Sequence, residues 1–281
     1  GLFFDVMDVR GKVTADWDGD GVNENRNGTQ VIDWVTKGHV EHVNVWRALE
    51  PSFILMGNYS ANITNATNFA RVPPRFYDLV EGPNSEFLIG ATFAHEEFAT
   101  NENGMMQVMK RQMTLNAISR AAGTRTYELF DCHNDTKPSG VSETDWTRYC
   151  LCICLQDGHY LSMKDGVTLT GWPLVCNEFD FDLGQAKTGP NYGNTASGYN
   201  SFQNGVYFRE FDNGAAAFNP KNNGPQTITL TNPGAGFRWD NLGSVDFPTA
   251  VEDPDVNDGQ TNVLTMTLDD RSGQAIKRQA L

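Results

Sequence analysis

The sequence predicts an α/β chain: the C-terminal half of a (β/α)8 TIM-type barrel over residues 1–197, followed by a small antiparallel β-sandwich over residues 198–281. Three observations lead there. Up to about Pro190, apolar strand-like runs alternate with stretches of helical periodicity, the rhythm of parallel β/α units. From Gly198 onward the rhythm shortens to alternating runs such as VYFREF, TITLT and VLTMTL, closed by Asn-Gly, Asn-Pro and Pro-Gly turns that suit antiparallel hairpins. Carboxylates also stand where an apolar run stops, as Asp5 and Asp8 do in GLFFDVMD, and charge at the end of a buried strand is costly unless it is paired or used.

The elements follow in order. Leu2 to Met7 reads as the first strand. Thr29 to Leu49 reads as a helix, because Val31, Trp34, Val35, His39, His42, Trp46 and Leu49 recur at helical spacing. Phe53 to Tyr59 and Phe87 to Phe93 are the second and third strands. GMMQVMKRQMTLNAISRAAG is a helix stopped by Gly123, since glycine readily takes the left-handed conformation that closes a helix. Thr126 to Phe130 is the fourth strand, and Thr144 to Leu155 a further apolar helix. A full barrel needs eight strand–helix units in about 250 residues. The first 190 residues offer four or five, so only the C-terminal half of the barrel is expected.

Composition narrows the partners. With 39% hydrophobic and 11% aromatic residues among 281, the chain can bury a sizeable core. Its 21 basic against 35 acidic side chains give a net charge of −14, which repels a phosphate backbone and argues against nucleic acid and anionic membrane surfaces. Neutral or cationic ligands fit better. No apolar stretch approaches the roughly 20 residues that span a bilayer, so no membrane insertion is expected. Sequons at Asn27, Asn58, Asn62, Asn65 and Asn134 exceed the roughly three that composition predicts and point to a secreted or cell-surface protein. Cys132, Cys150, Cys152, Cys154 and Cys176 are odd in number and cannot all pair within one chain. Their spacing fits no zinc pattern and reads as small apolar core residues.

DWDGDGVNENRN sets Asp16, Asp18 and Asp20 at alternate positions before Gly21, as hard oxygen ligands stand in a calcium loop. The first half of the EF-hand pattern is met. Its last position, which wants a bidentate Glu, is Asn27, and no clear helix precedes the loop. A Ca2+ site of another geometry is one reading, and a solvated acidic turn is the other. DPDVNDGQTN, with Asp253, Asp255, Asn257 and Asp258, is a weaker case for such a site.

Several strings in order carry a resemblance: GLFFDVMD, DWDGDG, VWRALEPSFILMGN, FAHEEF, LCICLQDGHYL, LVCNEFDFDLGQAKTG, VYFREFDNGAAAFNP and DPDVNDGQTNVLTMTLDDRSGQAI. Together they resemble the C-terminal part of a secreted family of glycosyl-hydrolase-like barrel proteins. The resemblance implies a barrel whose last strands are followed by a small β-sandwich, with FREFDNGAAAFNP as its first hairpin, and it favours a plain inter-strand turn at DPDVNDGQTN. The chain departs from that pattern in lacking the first half of the barrel, in its extra cysteines, and in ending on Lys-Arg-Gln-Ala-Leu.

Glycoside hydrolysis normally uses two carboxylates flanking the scissile bond. Asp5 ends the first strand and Glu96 or Glu97 ends the FLIGATFAHEEF strand, so both are expected to project from one barrel face, with Asp5 assigned as nucleophile or base, Glu96 as acid, and Glu97 and Asp8 as substitutes. The resemblance favours Glu96, because the family's strand-end acid is followed two residues later by an aromatic, here Phe98. The competing reading makes Asp5 a cap and Glu96 with Glu97 a solvated pair. Asn58, His95, Asp131 and His133 lie at strand ends, where they could hydrogen-bond sugar hydroxyls. Trp172, between Gly171 and Pro173, is the best stacking platform, whereas Trp34 and Trp46 share a helix face and read as core. Glu178, Asp180 and Asp182 alternate in a strand-like run and read as structural at the join or as catalytic. The expected function is a secreted glycoside hydrolase-like protein acting on a polysaccharide or glycoconjugate. The alternative is a non-catalytic carbohydrate-binding or structural surface protein that uses its sandwich for self-association.

Overall fold

The computed structural model describes residues 2–4, 14–58, 82–89, 104–105, 107–111, 129–133, 137–158, 160–164, 176–187 and 203–281, with 70, 80 and 114 as single positions. Five strands, β1 (Leu2–Phe4), β2 (Leu55–Asn58), β3 (Gly82–Ile89), β4 (Leu129–His133) and β5 (Tyr160–Lys164), form one parallel sheet in sequential order. Parallel neighbours need a crossover. Helix α1 (Thr29–Leu49) supplies it between β1 and β2, and helix α2 (Glu143–Leu155) between β4 and β5. Met105 and residues 107–111 are helical and lie in sequence between β3 and β4.

The expected (β/α)8 barrel is corrected by this arrangement. Among the described residues the parallel sheet is open, with β1 and β5 at its two edges, and the remaining strands lie in small antiparallel sheets. Barrel closure requires the last strand to pair with the first. Here the described strands after β5 pair only antiparallel with one another and none joins the parallel sheet.

α1 occupies the span that the helical periodicity predicts, but its buried face is rotated from the expected one. Val31, Ile32, Thr36 and Val43 are buried, while His42 and Leu49 are exposed. Trp46, half-buried and packed against the core, donates from Nε1 to His42 Nε2 at 3.1 Å, an i, i+4 pair. α2 starts on a Ser142 cap, whose Oγ accepts the Asp145 N–H at 3.0 Å, with Glu143 and Asp145 favourably placed in the first turn. It ends at Gly158, at φ +78°, whose N–H reaches the Cys154 carbonyl at 3.1 Å. Every residue from Trp146 to Cys154 is buried. A helix covered all round must lie between two layers.

The second layer is C-terminal. β6 (Tyr207–Glu210), β7 (Gly214–Asn219), β9 (Phe237–Asn241) and β11 (Ser272–Ala280) form an antiparallel sheet ordered β6-β7-β11-β9, and β8 (Gln226–Thr229) pairs with β10 (Thr265–Leu268). Alternation along these strands feeds two cores. Tyr207, Ala216 and Phe218 pack with Trp146, Tyr149 and the parallel-sheet side, the Tyr207 and Phe218 rings stacking at 4.7 Å. Phe208, Ala215, Ala217 and Ile276 face the other way, against Ile228, Trp239 and Met266. β7 is buried on both faces, which accounts for its run of three alanines. Gly273 of β11 lets α2 approach: a Cβ there would lie 2.9 Å from Cys152 Cβ and 3.1 Å from Tyr149 Cα.

Candidate functional site

The acidic loop before α1 is built by its own backbone. Asp16 Oδ1 accepts the Gly19 and Asp20 amides at 2.7 and 3.0 Å, and its Oδ2 accepts Gly21 N–H at 2.9 Å. Gly19 and Gly21 sit at φ +82° and +90°, a conformation that side-chain-bearing residues rarely adopt. Asp20 Oδ1 in turn accepts Val22 N–H at 2.8 Å. The loop is closed by Glu24, whose amide reaches the Ala15 carbonyl at 2.9 Å and whose Oε2 accepts Trp17 N–H at 2.6 Å. Asp16, Asp18, Asp20 and Glu24 each offer one carboxylate oxygen within 4.8 Å of the others. Such a set of hard oxygens suits Ca2+ in donor type, and like charges this close repel one another unless a cation or solvent offsets them.

Sequence reasoning found the three aspartates and missed Glu24. The signal was present, because Glu24 stands at the ninth position of the loop, where EF-hand loops also place a ligand, often through water.

The strand-end candidates are placed unevenly. Asp5, Asp8, His95, Glu96, Glu97 and Trp172 lie outside the described residues. Asn58 closes β2 at 7% exposure, in register with Asn84 of β3, which pairs with Leu129 of β4. His133 closes β4 at 2% exposure and pairs with Lys164, four residues beyond that row. Asp131 lies in the β4 backbone opposite Glu86 and Ser162. Two strands of lateral separation and four residues of rise keep Asn58 and His133 more than about 10 Å apart. They share an edge of the sheet but not one contact point. Trp146 and Trp239 are core residues, whose indole N–H groups donate to the His133 and Thr231 carbonyls.

A third cluster was read only in part. Glu178 lies in a 3-10 turn (Asn177–Asp180), not a strand, and pairs with the buried Arg148 of α2. Arg148 Nη1 also donates to Asp145 at 2.8 Å and Asp253 at 2.9 Å, while Asn257 Nδ2 donates to Glu178 at 2.9 Å. Three carboxylates thus surround one guanidinium, beside a cleft of about 310 Å3 also lined by Asp255, Asp270 and Arg271. Burial, then the hydrogen bond with Asp145, raises the Asp253 carboxyl against the opposing pull of Arg148. Asp145 is itself penalised by burial, yet its hydrogen bonds with Asp253, Ser142 and Arg148 hold it below the ordinary value. The segment read as a plain turn therefore holds α2 to the C-terminal layer.

Among the described helices none is long and apolar enough to cross a membrane. Compared with known proteins, the chain matches no family model and no curated protein, so the resemblance drawn above rests on its motifs alone.

Proposed function

We propose that this chain is an extracellular glycoside hydrolase-like protein that acts on a polysaccharide or glycoconjugate and carries a calcium-binding loop. The observation behind the sugar chemistry is the common direction of β1 to β4, which brings their carboxyl ends to one edge of the sheet. Ligands of open parallel sheets bind outside that edge. Asp5 directly follows the last residue of β1, Asn58 and His133 close β2 and β4, and Glu96 lies seven residues beyond the end of β3. Asp5 serves as nucleophile or base and Glu96 as the acid that protonates the leaving oxygen, with Glu97 and Asp8 as substitutes. His95, Asp131 and Trp172 complete the proposed sugar contacts. Asp5→Asn and Glu96→Gln each abolish sugar release while leaving the thermal transition in place. Equal release by wild type and both variants contradicts the assignment.

A second reading is favoured by the acidic loop. Asp16, Asp18, Asp20 and Glu24 converge on the loop's own amides without involving the strand ends, as a structural Ca2+ site would. On that reading the protein retains glycans, or associates with itself, without turnover.

A further inference from the structure

Trp146, Cys150 and Cys154 stand at i, i+4 and i+8 on α2, so they form one stripe along the helix. Trp146 Nε1 donates to the His133 carbonyl at 2.9 Å, which fixes that stripe against the end of β4, one residue from Cys132. Cys132, Cys150 and Cys154 are all fully buried in one core cluster, and the two stripe thiols act on that of Cys132. Cys152 faces the other way, since a Cβ on Gly273 of β11 would lie 3.0 Å from its Sγ. All five cysteines carry thiols in this structure. A disulfide needs Cβ atoms about 3.8 Å apart, a condition open only to cysteines that share one packed cluster, as these do.

We propose that Cys132 and one of the two stripe thiols, Cys150 or Cys154, form a disulfide when the chain folds in the presence of a disulfide oxidant such as oxidised glutathione. Two cysteine thiols give up two protons and two electrons as one S–S bond forms. The oxidant's S–S bond breaks, and it leaves as two glutathione thiols. The third thiol of the trio remains reduced on the same stripe, and while the chain is still open its thiolate can attack the bond, so the link exchanges between Cys150 and Cys154 before the fold closes. Burial, followed by the contacts with Cys150 and Cys154, pushes the Cys132 thiol well above its ordinary range. The attacking species is the thiolate, so the closed fold keeps this site unreactive and the link forms before α2 docks on β4. This inference is independent of the sugar chemistry.

The test refolds the full chain from denaturant in a glutathione redox buffer and, in parallel, in excess reductant, then denatures, alkylates and weighs it. The expected result is five adducts in the reduced arm and three in the oxidised arm, with fragmentation linking Cys132 to Cys150 or Cys154. The oxidised form should also melt at the higher temperature, because the crosslink restricts the unfolded chain. Five adducts in both arms, a glutathione adduct in place of an internal link, or links that omit Cys132 overturn the proposal. Cys132→Ser removes the link; should that variant fail to fold, the count and connectivity in the wild-type chain still decide.

Discussion

Asp18 is the most revealing single residue of the acidic loop, because its part in the loop's own hydrogen bonding is slight. It accepts one long contact from the Asp20 amide at 3.3 Å, whereas Asp16 holds three amides. Asp18→Asn should therefore leave the apo protein equally or more stable, by relieving repulsion, while weakening Ca2+ about tenfold. Calorimetric Ca2+ titration of both proteins checks this. Saturating Ca2+ at about 100 times Kd should stabilise wild type by about 2.7 kcal/mol. Asp253 offers a pH test. Its folded carboxyl is raised above an unfolded value of about 3.9, so its contribution is fully present below that pH and is lost as pH rises through the folded value. Asp145 is lowered, and its contribution has the opposite sense: present above about pH 3.9 and lost as pH falls through its folded value. Asp253→Asn should thus raise stability at pH 7, with the gain vanishing below about pH 4. Denaturant melts across that range measure it.

At the scale of elements, α2 is the keystone, since both layers pack on it. Gly273→Ala places a methyl against Cys152 and the Tyr149 backbone at 2.9 to 3.1 Å, and should cost about 1–3 kcal/mol by forcing α2 away from β11. Arg148→Met leaves Glu178 buried with its charge unpaired and should cost about 3–5 kcal/mol, read by chemical denaturation. The sequence made α1 legible through periodicity, α2 through its apolar run, and β2, β4, β6, β7, β8 and β10 through apolar or alternating runs. It hid β11, a central strand whose SGQAIKRQA carries charge and buries only Gly273, Ala275 and Ile276. β9 was hidden for a related reason, because Arg238, Asp240 and Asn241 make it look like a loop although Trp239, Asp240 and Asn241 are all buried. Asp240 is offset by Arg238, two residues away in the same strand, and by the Asn262 amide, 22 positions on, a partner that leaves no local pattern. The aspartates of the acidic loop were readable because calcium-type spacing is local. The Arg148 cluster was not, because Arg148 and Asp253 lie 105 positions apart.

For the whole molecule, the parallel rhythm of the first half was read as part of a barrel, yet the described strands form an open sheet whose neighbour through α2 is antiparallel. Periodicity reports which strands are parallel and says nothing of whether a sheet closes. The proposed function therefore rests on one edge of that sheet and on the acidic loop that precedes α1. Burial also bears on the secretion reading: Asn58 lies in β2 at 7% exposure, whereas Asn27 is exposed, so a glycan is expected at Asn27 and not at Asn58. Peptide mapping of protein from a glycosylating host checks both positions. The most direct test of the central claim is reducing-end release by the wild-type chain, with Ca2+ present, across a panel of neutral and amino-sugar polysaccharides, alongside Asp5→Asn. The account predicts release from at least one glycan and its loss in the variant at unchanged melting temperature; glycan retained by both proteins with no release from either would contradict it.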